Sequence, residues 1–175
     1  MTLLTNILVL TTISLALSGA NATLEIVCKA ASNNDAGVNY DFCVKELGNH
    51  PWAHDTDAWG LAMQAADCGI GNAYRAIEDI EGMLAKPGSD AKAKEALGQC
   101  DGLYTGMKYA FANAHDWIKN RNYTAGKEEA EKVTTLANMC DDILAKADVT
   151  SPLTERSTYS LQIAIVCSAI ITLIQ

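Results

Sequence analysis

Six cysteines and three histidines are the side chains of this sequence best suited to disulfide, nucleophilic or metal chemistry. Cys28 and Cys43 lie symmetrically about a predicted turn at residues 33–37, and Cys100 and Cys140 are centred on a break at residue 120. Residues equidistant from the turn of an antiparallel helical hairpin lie at the same height, so each pair is placed to form a disulfide. The two pairs indicate a stapled helical protein from an oxidising compartment.

The two other cysteines are less easily paired. Cys68 lies about 200° around its helix from the predicted core seam, which disfavours a bond to Cys167. We therefore interpret both as free thiols, with Cys68 either exposed or covered by the N-terminal segment. A third disulfide between them is the alternative.

The histidines give little sign of catalysis or metal binding. His50, His54 and His115 are scattered, and the cluster at residues 54–57 is more typical of a helix cap than of a metal site. The sequence contains no nucleophile elbow, no phosphate-binding loop and no His-x-x-x-His pair. We predict a protein that is not an enzyme and that has no cofactor and no metal.

The first 22 residues predict export from the cell. They contain no charged side chain, an apolar run from Leu3 to Leu17, and small residues that fit cleavage after Ala20 or Ala22. We expect residues 1–22 to be a signal peptide, with a retained anchor as the alternative. Residues 23–175 then form one secreted domain, extracellular in the apoplast or, as the alternative, vacuolar.

The charge of the chain limits its partners. The formal net charge is −8, and every charged side chain lies after residue 22. Such a surface disfavours nucleic acid and anionic membranes, so we expect neither as a partner of the mature form.

Heptad spacing predicts four long amphipathic helices. Apolar residues recur at alternating three- and four-residue steps along seams over residues 59–84, 93–118, 130–147 and 159–173. The pattern predicts an all-α fold, an up-down-up-down four-helix bundle over about residues 55–174. A disulfide-clamped helical hairpin over about residues 24–54 precedes it, and Cys100 and Cys140 both fall on inward-facing seams.

The fourth helix has two interpretations. Ser151 is predicted as its N-cap and Pro152 as its first residue, and the stretch 161–174 is apolar on nearly every side. We favour a buried helix, because the other three seams would otherwise lack a partner. The alternative is a removable signal for a lipid anchor.

Several surface positions are candidates for modification or partner binding. Asn122 begins an Asn-Tyr-Thr glycosylation sequon at the turn between the second and third bundle helices, and Asn21 begins another near the cleavage region. The outward positions of those two helices, which we take as candidates for a protein interface, are Tyr109, Asp116, Glu128, Thr135 and Asp142.

The order and spacing of six short segments resemble the plant invertase and pectin methylesterase inhibitor family, and most of all its pollen-allergen branch of invertase-inhibitor-like proteins. The likeness covers about residues 24–174. The segments are the stretch from Val38 to Leu47 with the preceding Cys28, Asp57 to Leu61, Gln99 to Tyr104, Asn122 to Ala125, Cys140 to Ile143, and Ser151 to Thr154.

The resemblance implies a secreted inhibitor that occludes the substrate cleft of a target enzyme, in a 1:1 complex, through the second and third bundle helices. It also implies the pairs Cys28 with Cys43 and Cys100 with Cys140. Pectin methylesterase is the preferred target and acid invertase the alternative, since the Pro-Lys-Phe segment of invertase inhibitors is missing. A secreted helical protein that stores or binds an apolar ligand is the other alternative.

Overall fold

The computed structural model describes residues 23–51, 53, 56–88 and 90–175, and the predicted signal peptide lies outside them. Those residues form six α-helices and no β-strand. The helices are α1 Leu24–Asn34, α2 Tyr40–Gly48, α3 Ala58–Leu84, α4 Ala91–Lys119, α5 Tyr123–Lys146 and α6 Thr154–Ile174.

Helices α3 to α6 form the bundle. Each packs on the next along the chain, and α6 returns to pack on α3 and close the ring. The short connections make neighbouring helices antiparallel, which is the up-down-up-down arrangement predicted from the seams. The predicted fold class is confirmed.

Side-chain caps start three of the four bundle helices. Asp57, Asp90 and Asn122 each accept a hydrogen bond from the backbone N–H three residues ahead. The predicted start of α6 is wrong by two residues. Ser151 Oγ accepts from the Leu153 N–H at 3.2 Å, which closes a turn, so the helix begins only at Thr154.

A closed turn fixes the connection between α4 and α5. Arg121 is left-handed, with φ of 60°, and its N–H donates to the Ile118 carbonyl at 2.9 Å while Asn122 N–H donates to the Trp117 carbonyl at 2.9 Å. The Arg121 guanidinium lies 4.1 Å from the ring centroid of Trp59, whose Nε1 donates to the Ile118 carbonyl at 2.8 Å. These contacts tie the turn to the start of α3.

The predicted core seam of α3 is only partly correct. Ala66, Ala73 and Ile80 are fully buried as expected, whereas Ile70 and Ile77 are only half-buried. The buried face is rotated towards another row of small residues, which are Ala62, Ala65, Gly69 and Ala76. The rotation arises because α3 packs on the hairpin as well as on α4 and α6.

The hairpin of α1 and α2 covers the α3 and α6 side of the bundle. Gln64 Nε2 on α3 donates to the Leu47 carbonyl of α2, and the rings of Phe42 and Tyr159 meet edge to face with centroids 5.4 Å apart. This cover explains why α6 needs little polar surface. Helix α6 is long and apolar enough to cross a membrane, yet 56% of its most apolar 18-residue window is buried in the protein, as expected of a core helix.

Both predicted disulfides are present. The Cα atoms are 5.8 Å apart in Cys28–Cys43, which joins α1 to α2, and 5.0 Å apart in Cys100–Cys140, which joins α4 to α5.

Cys68 and Cys167 are free, as predicted. Cys167 is buried in the core, whereas Cys68 is only partly buried. Cys167 Sγ lies 3.6 Å from the carbonyl oxygen of Ala62, which is about one and a half helical turns from Cys68.

Candidate functional site

The outer side of α4 and α5 is the part of the bundle that the hairpin leaves open. All five predicted interface positions are exposed there, and Tyr109 has 60% of its surface accessible. The Cys100–Cys140 bond sets the antiparallel register, which places Tyr109 between the heights of Glu128 and Thr135. The five residues therefore lie along one continuous pair of helices.

Charged side chains lie beside the exposed tyrosine and further along α4. Lys108 Nζ lies 4.9 Å from the ring centroid of Tyr109. Two turns further along α4, Asp116 Oδ1 lies 3.3 Å from His115 Nδ1, and His115 Nε2 lies 3.9 Å from Asp67 Oδ1 on α3. Asp116 remains 74% exposed, so its charge is available to a partner.

A row of three glycines on α4 is the feature that the sequence interpretation missed. Gly98 and Gly102 are exposed, and a Cβ added at either would meet no atom within 4 Å; one at Gly106 would lie 3.3 Å from Leu136 Cδ1. A glycine inside a helix costs about 1 kcal/mol relative to alanine. Internal packing does not require glycine at positions 98 and 102. The spacing of four residues was the available signal.

Two exposed apolar side chains on the same helices were also missed. Trp117 is 42% and Met139 is 46% exposed, and with Tyr109 they make three of the five large exposed hydrophobic residues described. We call this surface the α4–α5 face; its members are Gly98, Gly102, Gly106, Tyr109, Asp116, Trp117, Glu128, Thr135, Met139 and Asp142.

Asn122 lies at one end of the α4–α5 face. Its side-chain oxygen accepts a hydrogen bond from the Ala125 N–H at 3.3 Å and caps α5, and the residue is exposed. Glycosylation there stays a prediction.

A second polar site lies in a cleft between the hairpin and the bundle. Cys68 Sγ on α3 is 3.6 Å from His50 Nε2, and Tyr159 OH on α6 donates to Glu46 Oε2 at 3.1 Å. Burial raises the pKa of the Cys68 thiol to about 11 and also raises the pKa of the Tyr159 hydroxyl. A thiol with so high a pKa is a poor nucleophile, so this cleft does not support cysteine catalysis.

Comparison with known proteins decides the family. A sequence model of the plant invertase/pectin methylesterase inhibitor family matches residues 8–170. The chain belongs to this family. The family consists of inhibitor proteins rather than enzymes, so a target enzyme is the kind of partner that membership implies. Members are typically extracellular.

Individual relatives divide between two names. Pectinesterase inhibitor 8 of Oryza sativa subsp. japonica is 44% identical over 160 residues, which cover 90% of this chain and 86% of the rice protein. Pectinesterase inhibitor 12 of the same plant is 37% identical, covering 93% and 79%. A protein of Platanus orientalis named "Putative invertase inhibitor" is 29% identical, covering 84% and 86%.

The identities refine the resemblance within the inhibitor family. The Platanus protein named as an invertase inhibitor is 29% identical to this chain. Both rice pectinesterase inhibitors are more similar to it, at 44% and 37% identity.

Proposed function

We propose that this chain is a secreted inhibitor of pectin methylesterase that binds the enzyme through the α4–α5 face and blocks its substrate cleft in a 1:1 complex. The names and identities of the rice relatives support the choice of target. The observation that carries the choice of surface is the glycine row, since Gly98 and Gly102 carry a cost in helix stability that no internal contact explains.

The α4–α5 face has the properties of a docking surface. Glycines without side chains let a partner approach the α4 backbone closely, while Tyr109 offers a large anchor beside them. Asp116, Glu128 and Asp142 add negative charge, which suits an enzyme cleft built to receive an anionic polysaccharide. Inhibition by occlusion needs no chemistry from the inhibitor.

Parallel enzyme assays test the proposal. Mature protein beginning at residue 23 is added to pectin methylesterase and to acid invertase, and the mass of any complex is measured by light scattering. We expect loss of pectin methylesterase activity at micromolar inhibitor and a 1:1 complex. Full activity of both enzymes at that concentration would contradict inhibition of either target.

Acid invertase is the second candidate. The name of the Platanus relative favours it, whereas the missing Pro-Lys-Phe segment does not. Loss of invertase activity alone in the same assays would reassign the target without changing the proposed surface.

An apolar ligand in the bundle core is less well supported. The small seam residues that could border a cavity are fully buried, and they let neighbouring helices approach closely; they are Ala66, Ala73, Ala114, Ala130 and Ala137.

A further inference from the structure

The glycosylation sequon that begins at Asn122 lies on the exposed turn that joins α4 to α5. Asn122 and Thr124, the two residues that define the sequon, are both exposed, and Tyr123 between them is half-buried. Tyr123 OH accepts a hydrogen bond from Arg121 Nη1 at 3.0 Å, and the Arg121 guanidinium lies over the ring of Trp59 on α3. These bulky side chains are therefore held near the start of α3 and leave the sequon open to solvent.

The helix cap at Asn122 is compatible with a glycan. Asn122 Oδ1 accepts a hydrogen bond from the Ala125 N–H, whereas a glycan is attached to Nδ2 of the same carboxamide. An N-linked sugar replaces one Nδ2 hydrogen and leaves the carbonyl oxygen as an acceptor. The cap of α5 and the modification can therefore coexist, and the predicted export of the chain would bring the sequon to the glycosylation machinery.

The sequon lies far from the glycine row. The row occupies the N-terminal half of α4, whereas the sequon follows the C-terminal end of that helix at Lys119. At a rise of about 1.5 Å per residue, Gly102 lies roughly 25 Å and Tyr109 roughly 15 Å from that end. A glycan on Asn122 would occupy space beside the last turn of α4 and leave the surface around Gly102 and Tyr109 uncovered.

We propose that Asn122 carries an N-linked glycan that marks the boundary of the docking surface, so that the enzyme contacts the glycine row and Tyr109 but not the turn. The boundary rests on the proposed function, whereas the modification does not. The oligosaccharide comes from a lipid diphosphate donor. Its C1–oxygen bond to the diphosphate breaks, C1 forms a bond to Asn122 Nδ2, the diphosphate leaves with the electron pair, and one Nδ2 proton passes to solvent.

Intact mass tests the modification. The full chain is expressed in plant cells, and the secreted protein is weighed before and after treatment with a peptide N-glycosidase, which converts a glycosylated asparagine to aspartate and so marks the site for peptide mapping. We expect a glycan on Asn122 in the wild type and in Thr124→Ser, which keeps the sequon, and none in Thr124→Ala. Secreted wild-type protein without a glycan, or with one on Asn21 alone, would overturn the proposal.

Inhibition tests the boundary. The glycosylated wild type and Thr124→Ala, which loses the sequon but keeps the cap at Asn122, should have inhibition constants within about threefold of each other. If the glycan weakened inhibition by about tenfold or more, the enzyme would contact the turn and the boundary would be wrong. Absence of inhibition by both proteins would contradict the proposed function, while the mass measurement would still decide the modification.

A glycan placed on the docking surface is the matched comparison. Lys132→Asn creates a sequon with Thr134, and Lys132 is exposed on α5 between Glu128 and Thr135. Its height is therefore close to that of Tyr109. Once intact mass confirms occupancy, this glycan should weaken inhibition by roughly 100-fold or more, because it would hold the enzyme away from the α4–α5 face. Lys132→Gln, which creates no sequon, should inhibit nearly as well as the wild type. Full inhibition by the glycosylated Lys132→Asn protein would overturn the boundary.

Discussion

The two long sides of the bundle differ in whether the N-terminal hairpin covers them. The side formed by α3 and α6 lies under the hairpin, and α6 is accordingly apolar around almost its whole circumference. The side formed by α4 and α5 has no such cover, and it exposes Tyr109, Trp117 and Met139. Apolar residues on the covered side are buried and stabilise the fold. The exposed apolar residues on the open side therefore need another explanation.

Glycines sharpen the contrast. Gly69 on α3 is buried against Phe111, and an added Cβ would overlap the phenyl ring, so packing requires glycine there. Gly102 on α4 has open space around it and no packing requirement. Glycine at position 69 therefore allows close packing between helices. By our proposal, glycine at position 102 allows an enzyme to approach the α4 backbone.

The largest expected effect comes from removing the disulfide of the open side. Replacing Cys100 and Cys140 together by serine should lower the free energy of unfolding by about 4 kcal/mol, because the bond closes a loop of 40 residues. The same change at Cys28 and Cys43, which are 15 residues apart, should cost about 3 kcal/mol. Denaturant titration measures both. A loss below about 1 kcal/mol at Cys100 and Cys140 would mean that packing alone holds the open side together.

The next effect tests whether glycine is required at a buried contact. Gly69→Ala should lower the free energy of unfolding by about 1–3 kcal/mol, because the ring of Phe111 is fully buried and has little room to move. Gly71→Ala is the matched control on the same helix, since its Cβ would meet only the end of the Arg75 side chain at 3.7 Å. Thermal unfolding of both proteins measures the difference, and equal Tm values would contradict the packing argument.

Much of the framework could be predicted from sequence because it depends on local periodicity. The heptad seams locate four helices, and the symmetry of Cys100 and Cys140 about residue 120 predicts their bond. What a helix packs against on its other faces is a tertiary property. The rotated core face of α3 and the cover over Cys68 depend on where the hairpin docks, which no single-helix pattern contains.

The α4–α5 face was predicted less completely for a related reason. The helical periodicity placed Tyr109 and Asp116 on the outward face of α4. The exposure of Met139 depends instead on which elements pack over its part of α5, and this is a tertiary property. The start of α6 was missed because Ser151 forms a turn of its own, a local competitor that the Ser-Pro pattern does not distinguish from a helix cap.

A smaller effect is expected when the exposed tyrosine on each side of the bundle is truncated. Tyr109 on α4 and Tyr74 on α3 are 60% and 55% exposed, so truncating either should leave the Tm almost unchanged. Tyr109→Ala should raise the inhibition constant for the target enzyme by roughly 10- to 30-fold, which corresponds to about 1.4–2 kcal/mol of binding energy. Tyr74→Ala should leave that constant near the wild-type value. Weaker inhibition by Tyr74→Ala alone would move the docking surface to the side that carries the hairpin.

The smallest effect is also the most specific, because stability and inhibition should move in opposite directions. Gly102→Ala should raise the free energy of unfolding by about 1 kcal/mol, seen as a Tm higher by roughly 2–4 °C, since it adds a methyl group in open space within a helix. Gly82→Ala on α3 also has open space and should give a similar gain. Only Gly102→Ala should weaken inhibition, by several-fold, because its methyl group would hold the enzyme away from the α4 backbone. If both variants inhibit as well as the wild type, the glycine row does not contact the enzyme and the proposed orientation of the complex is wrong.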